Sequence, residues 1–249
     1  MTKGRLLNTP VDIDTNEVHA FWNRRASHCD IQHPASLLLQ DDCPARNDEM
    51  DEAEKSVVLP LLHLSGTTRV LDLGCGDGRW ATDLLPKVGR YCGTDLAENM
   101  VAIARKRFAS YPNAVFKALN VLDVFPETFP EAIGSNLILL SGVFHYLNDV
   151  DLVPTFNAMT RMCAEDATIY IRGSVARDQR LTLDGFWSDT LKDRYDAVYR
   201  TPEELKEIVA ITILSAGFVE TTTGILFESH GLHRSETYTL FSIYERSKP

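Results

Sequence analysis

Gly74, Gly76 and Gly78, with Asp95 about 20 residues beyond them, are the residues whose types and spacing point most directly to chemistry. A short apolar segment, Val70-Leu71-Asp72-Leu73, runs straight into the glycines. Glycine is needed there because the chain must turn sharply and let a ligand approach the backbone with no Cβ in the way. A helix starting after such a turn offers unpaired N–H groups and the positive end of its dipole to a polar or anionic ligand. A second apolar segment, Tyr91-Cys92-Gly93-Thr94, ends at Asp95. An acid at that place is where an open parallel sheet grips ribose hydroxyls.

The glycine spacing narrows the choice. A dinucleotide site wants G-x-G-x-x-G, whereas here the third glycine comes one residue early and Arg79 follows it. Glycines at 74, 76 and 78 behind Asp72-Leu73 resemble the first motif of class I S-adenosylmethionine-dependent methyltransferases. Asp95-Leu96-Ala97-Glu98-Asn99-Met100 is similar to their second motif. The resemblance covers residues 67–246. It implies S-adenosylmethionine as cofactor, held by Asp72, Gly74, Cys75 and Gly76 at the first strand. Asp95 and Leu96 would meet the ribose, Met100 the adenine face, and Asn120 and Val121 the adenine edge. The family usually has an acid at the third strand end; Asn120 stands there, its carbonyl oxygen able to accept the same bond, with Asp123 as an alternative and a turn cap as the bland reading.

Around these motifs the chain alternates apolar strands with helices, which implies an α/β fold. Strands apolar throughout imply a doubly wound, buried parallel sheet, and the resemblance implies a mostly parallel seven-stranded sheet that ends in a C-terminal antiparallel hairpin strand. Residues 1–66 read as an N-terminal helical extension or lid and residues 67–249 as the catalytic domain, with an inserted substrate lid at about 175–200. Residues 1–16 look loose. Helices are expected over Asn16–Ala26 and Asp48–Leu64, the latter with Met50, Ala53, Val57, Leu61 and Leu64 on one face as pure architecture. Phe21-Trp22-Asn23-Arg24-Arg25 resembles the family's lid helix, which puts Trp22 over the cofactor and Arg25 near its carboxylate. Residues 27–46 look loop-like, and their His28, Cys29, His33 and Cys43 match no metal site.

The fourth strand ends in Ser141-Gly142-Val143-Phe144-His145-Tyr146. In the family this segment passes beside the reactive methyl, so Ser141 falls to the cofactor and Tyr146 to the acceptor. His145 is the candidate general base, against the alternative of a hydrogen-bonded pocket histidine. Trp187, Leu191 and Tyr195 recur at intervals of four, as on one helix face, and with Tyr199 suggest an aromatic lid over an acceptor. Arg172, Arg177 and Arg180 are available to an anionic acceptor.

A formal net charge of −10 disfavours nucleic acid and anionic membranes as partners. Five scattered cysteines suggest no disulfide framework and a cytoplasmic setting, and no run of about 18 apolar residues suggests a membrane span. The motifs of amino-N base methylation, of C5-pyrimidine methylation and of metal-dependent catechol transfer are all missing after the fourth strand. The expected activity is therefore methyl transfer to an oxygen or nitrogen of a small polar metabolite, by a monomer or homodimer without a metal. The competing readings are a tRNA or protein methyltransferase, a non-catalytic S-adenosylmethionine-binding regulator, and a nicotinamide dehydrogenase.

Overall fold

The computed structural model describes residues 4–28, 44–189, 191–228 and 235–247. Cys29, His33, Cys43 and residues 229–234 lie outside them. Residues 4–7 are not loose. Strand β1 (Gly4–Leu7) pairs antiparallel with the segment Leu181–Ser188 far along the chain. Helix α1 (Thr15–Arg25) starts at Asp14, whose carboxylate accepts from the Asn16 N–H at 2.9 Å, and it buries Val18, Phe21 and Arg25.

Helix α2 (Pro44–Val58) carries a different face inward from the one expected. Met50, Glu54, Val58 and Leu62 are buried at intervals of four, while Val57 is 46% exposed. A carboxylate thus sits in the middle of the apolar stripe. The reason is a partner, described below, that the spacing of apolar residues does not reveal.

Strand β2 (Arg69–Leu73) leads into the glycine turn and the short helix α3 (Ala81–Leu84). Then come β3 (Arg90–Asp95), α4 (Glu98–Arg107), β4 (Ala114–Ala118), β5 (Ser135–Ser141) and α5 (Asp149–Met162). Strand β6 (Cys163–Ala176) is long because a later antiparallel strand accompanies it to Ala176. The inserted region is not helical: β7 (Leu181–Ser188) and β8 (Asp193–Tyr199) form a hairpin. Helix α6 (Pro202–Val209) has a capping box, in which Thr201 and Glu204 satisfy each other's backbone N–H groups. It continues as a π-helical turn through Leu214, and Gly217 ends it with φ +86°. Strands β9 (Val219–Leu226) and β10 (Thr237–Arg246) close the chain.

The main sheet has the order β4-β3-β2-β5-β6-β10-β9. Its strands run parallel except β10, which is antiparallel to both of its neighbours. Apolar clusters fill both faces of it. The strand order reverses at β2 and β5, so the crevice beyond their C-terminal ends is the place for a ligand. A second, three-stranded sheet, β1-β7-β8, packs with α1 over that crevice. No helix among the described residues is long and apolar enough to cross a membrane.

Candidate active site

The floor of the crevice is the glycine turn. Gly74 adopts φ +74°, and a Cβ there would overlap Val143 Cγ2. Its N–H and that of Cys75 donate to the Thr94 carbonyl at 2.7 and 2.9 Å, tying the turn to β3. Gly76 has φ +55° and open space where a Cβ would be, which leaves its backbone accessible. Asp95, at the end of β3, accepts from the N–H groups of Gly76 and Ala97, both at 2.8 Å. Burial raises the Asp95 carboxyl above its ordinary range, and those two N–H groups pull it back.

Gly74, Cys75, Gly76, Asp95, Leu96, Met100, Asn120, Val121 and Trp22 all line one cavity, of about 230 Å³. Asn120 also caps the following turn, its side-chain oxygen accepting from Leu122 N–H at 3.0 Å. Asp123 does not line the cavity. Two of the expected cofactor residues stand back from it. Arg25 is buried at the C-terminal end of α1 and is not on the cavity wall. Asp72 lies beneath the glycine turn and accepts the Tyr91 hydroxyl proton. Burial pushes the Asp72 carboxyl up to about 7, against the opposing pull of the Tyr91 hydroxyl and the Arg79 charge.

Helix α1 roofs this end. His19 and Asn23 reach Glu98 at 2.9 and 2.8 Å, and Asn23 accepts from the Asn99 N–H at 3.2 Å. The helix is thereby fixed to the first turn of α4. Trp22 meets Tyr146 edge-on with ring centroids 5.5 Å apart.

The same cavity continues past the end of β5, along Ser141, His145, Tyr146, Arg172 and Tyr195. His145 is buried in a tight turn, its ring 4.2 Å from that of Tyr146 and stacked on Tyr199 at 5.9 Å. The Tyr146 and Tyr195 hydroxyls are 2.9 Å apart, and the Tyr199 hydroxyl donates to Tyr195 at 3.3 Å. Tyr199 thus stands behind the wall and supports it. Trp187 is a correction: it is 54% exposed on β7, opposite Arg194, and away from the cavity. Trp187 on β7, Leu191 between the strands and Tyr195 on β8 share no helix face, because the chain reverses between Ser188 and Asp193. Of the three arginines, only Arg172 faces the cavity. Arg177 pairs with Glu228 at 3.6 Å, while Arg180 is buried between Asp149 and Glu204 at 2.7 and 3.2 Å.

Helix α2, expected to be architecture alone, supplies a charged cluster behind the site. Glu54 is fully buried; it receives the Tyr170 hydroxyl at 2.7 Å and lies 3.0 Å from Arg79 Nη1. Burial alone would raise its carboxyl, but the Arg79 and Arg172 charges and the Tyr170 hydroxyl more than offset this and lower it. Asp51 pairs with Arg79 and Lys55. Arg79 itself lies on the cavity wall and donates from Nη2 to Ser141 Oγ at 3.1 Å. The available signal was Glu54 within the Met50-Glu54-Val58 stripe, one acid among apolar residues at i, i+4, i+8.

Residues 71–169 match the family described as "Methyltransferase domain". Among curated proteins, the chain is similar to the citrinin polyketide synthase of Monascus ruber, 35% identical over 91 residues, 34% of this chain and 3% of that protein. It is also similar to phosphoethanolamine N-methyltransferase 3 of Arabidopsis thaliana, 26% identical over 133 residues, 52% of this chain and 26% of that one. Among solved structures, phosphoethanolamine N-methyltransferase 1 of Haemonchus contortus, in complex with phosphoethanolamine and S-adenosylhomocysteine, superposes with a TM-score of 0.73. It shares 13% identity, over 94% of this chain and 49% of that one. The chain therefore spans only a part of these larger relatives.

Proposed function

We propose that this chain is a class I S-adenosylmethionine-dependent methyltransferase that moves a methyl group onto an oxygen or nitrogen of a small polar metabolite, a reading supported by the matched residues 71–169 and the shared fold. The observation that carries this reading is the single cavity joining Gly74–Gly76 and Asp95 at one end to His145, Arg172 and Tyr195 at the other.

The residues present fit the cofactor. The open backbone at Gly76 admits its amino-acid part, Asp95 offers oxygens to ribose hydroxyls, and Leu96, Met100 and Val121 give an apolar slot for adenine. Bound S-adenosylmethionine supplies a methyl activated on a sulfonium. What the chain must add is alignment of the acceptor, exclusion of water and an outlet for a proton. Trp22 and Tyr146 close the cavity between its two ends, and the β7–β8 hairpin with α1 roofs it. His145 is the residue we assign to take the proton as the acceptor atom forms its new bond. Ser141 and Arg79 fix the end of β5, against which the acceptor lies.

The net charge of −10 and the roofed cavity support a small acceptor over a nucleic acid. So do the similar proteins, two of which bear the name of a small phosphorylated amine as acceptor. The cysteine usage supports a cytoplasmic setting. The test is label transfer from methyl-labelled S-adenosylmethionine into a cell extract divided into small-molecule, RNA and protein fractions. Label in the small-molecule fraction is expected. Label confined to RNA or protein would overturn the choice of acceptor, and cofactor binding with no labelled product would overturn the catalytic reading.

A further inference from the structure

Arg172 stands at the acceptor end of the cavity with its donors uncommitted. The residue is 8% exposed and lines the wall beside Gly142, whose φ of +80° and missing side chain leave room for its Nη1. Its side chain makes no hydrogen bond to any described residue, and its buried Nε has no hydrogen-bond partner. Phe227 lies under the guanidinium, 5.4 Å from ring centroid to Cζ. Glu54 Oε1 is 3.8 Å from Nε, close enough to balance the charge but too far to take its hydrogen bonds.

Arg79, the other guanidinium on this wall, is different. Its Nη1 is held by Asp51 and Glu54 and its Nη2 by Ser141. The buried cluster has thus satisfied one arginine and left the other charged, oriented and open toward the cavity. Leaving buried charged donors unmade is costly, and a guanidinium fork matches the paired oxygens of a carboxylate or phosphate. Hydroxyls accompany it. Ser174 lies two residues on along β6 and faces the cavity, and Thr239, its register partner on β10, faces it too.

We propose that the acceptor bears an oxyanion, a carboxylate or phosphate group, which Arg172 receives with Ser174 and Thr239 beside the end of β5. Glu54 is a positioning residue in this arrangement, holding the guanidinium in place from behind. The inference rests on the methyltransferase reading and deepens it: the methylated oxygen or nitrogen belongs to an anionic small molecule. Arg172 then sets specificity, since an uncharged analogue leaves its donors unmade.

The experiment titrates inorganic phosphate and, separately, acetate into the protein saturated with S-adenosylhomocysteine, so that the cofactor's own carboxylate site is filled. Calorimetry follows binding, and the ¹⁵Nε–H resonance of Arg172 reports its place. One saturable site for at least one of the two anions, with a shifted Arg172 resonance, is expected, and the anion that binds more tightly tells phosphate from carboxylate. Arg172→Gln should weaken that anion about tenfold or more while S-adenosylhomocysteine affinity stays within twofold. The double variant Glu54→Gln/Arg172→Gln removes both members of the ion pair and makes the same comparison if the single variant does not fold. No anion binding, or equal binding by wild type and variant, would overturn the proposal. So would a tenfold loss of S-adenosylhomocysteine affinity in Arg172→Gln, since Arg172 would then serve the cofactor. Failure of wild type to bind S-adenosylhomocysteine would instead sink the methyltransferase reading. The same titrations on unloaded protein would still decide whether Arg172 holds an anion.

Discussion

The hydroxyl of Tyr146, in the turn after β5, lies 2.9 Å from that of Tyr195, on the inserted strand β8. This contact joins the wall of the site to its roof, because β8 also packs against α1 through the Phe21–Tyr195 ring pair at 5.6 Å. Tyr195→Phe keeps the ring and removes the bridging oxygen. The acceptor KM should rise several-fold with S-adenosylhomocysteine affinity unchanged, and stability should fall by about 1 kcal/mol. Steady-state kinetics with a denaturant titration checks this; an unchanged KM would mean that the roof does not bear on the acceptor.

Glu54 is fully buried and serves two guanidinium groups, so its removal is more than the loss of a pair. Glu54→Ala should destabilise the fold by about 3–5 kcal/mol, the usual cost of stranding buried charge. Glu54→Gln, which keeps the shape and one acceptor, should cost less. Chemical unfolding of both variants tests the order. Equal and small losses would show that the cluster is more hydrated than its geometry indicates.

That cluster also marks the limit of what the sequence makes legible. The mostly parallel character of the main sheet was readable because parallel strands buried on both faces are continuously apolar, and the glycine turn and Asp95 mark two of its strand ends. The cofactor end of the cavity follows from those motifs, since backbone and short side chains build it. The acceptor end depends on residues brought together from α2, β6, β8 and β10, whose meeting no local pattern encodes. Glu54 looks like an ordinary helix-surface acid until Arg79, Arg172 and Tyr170 are placed around it. The interval of four from Trp187 through Leu191 to Tyr195 fits a helix face, but these residues fall on two strands and the segment between them, a chain reversal that the spacing does not encode. Residues 4–7 are ordered by pairing with β7, a partner remote in sequence.

Asp72 should give the fold a recognisable pH dependence. Its carboxyl is pushed up to about 7 by burial, against about 3.9 in an unfolded chain. The folded state therefore holds this proton more tightly, and the resulting stabilisation is full below pH about 4. It declines as pH rises and is gone above about 7. The slope is at most about 1.4 kcal/mol per pH unit. Asp72→Asn removes the titration, so wild-type stability relative to the variant should fall steadily between about pH 4.5 and 7. A constant difference across that window, measured by denaturant midpoints, would show that Asp72 is ionised throughout.

His145→Ala should lower kcat by about 10²-fold if the imidazole takes the acceptor's proton, with S-adenosylhomocysteine affinity within twofold. The limb of the pH–rate profile set by the imidazole should disappear with it. An unchanged profile would leave His145 as a wall residue stacked on Tyr199.

The account depends most on Asp95 and the glycine turn forming a cofactor site, since everything at the acceptor end is arranged around it. Equilibrium titration of S-adenosylhomocysteine into wild type and Asp95→Ala tests this directly. Wild type should bind one molecule per chain, and the variant, lacking the ribose acceptor and the bond to Gly76 N–H, should bind about tenfold more weakly or worse, a loss of at least about 1.4 kcal/mol. Equal affinity in the two proteins, or no binding by wild type, would contradict the account.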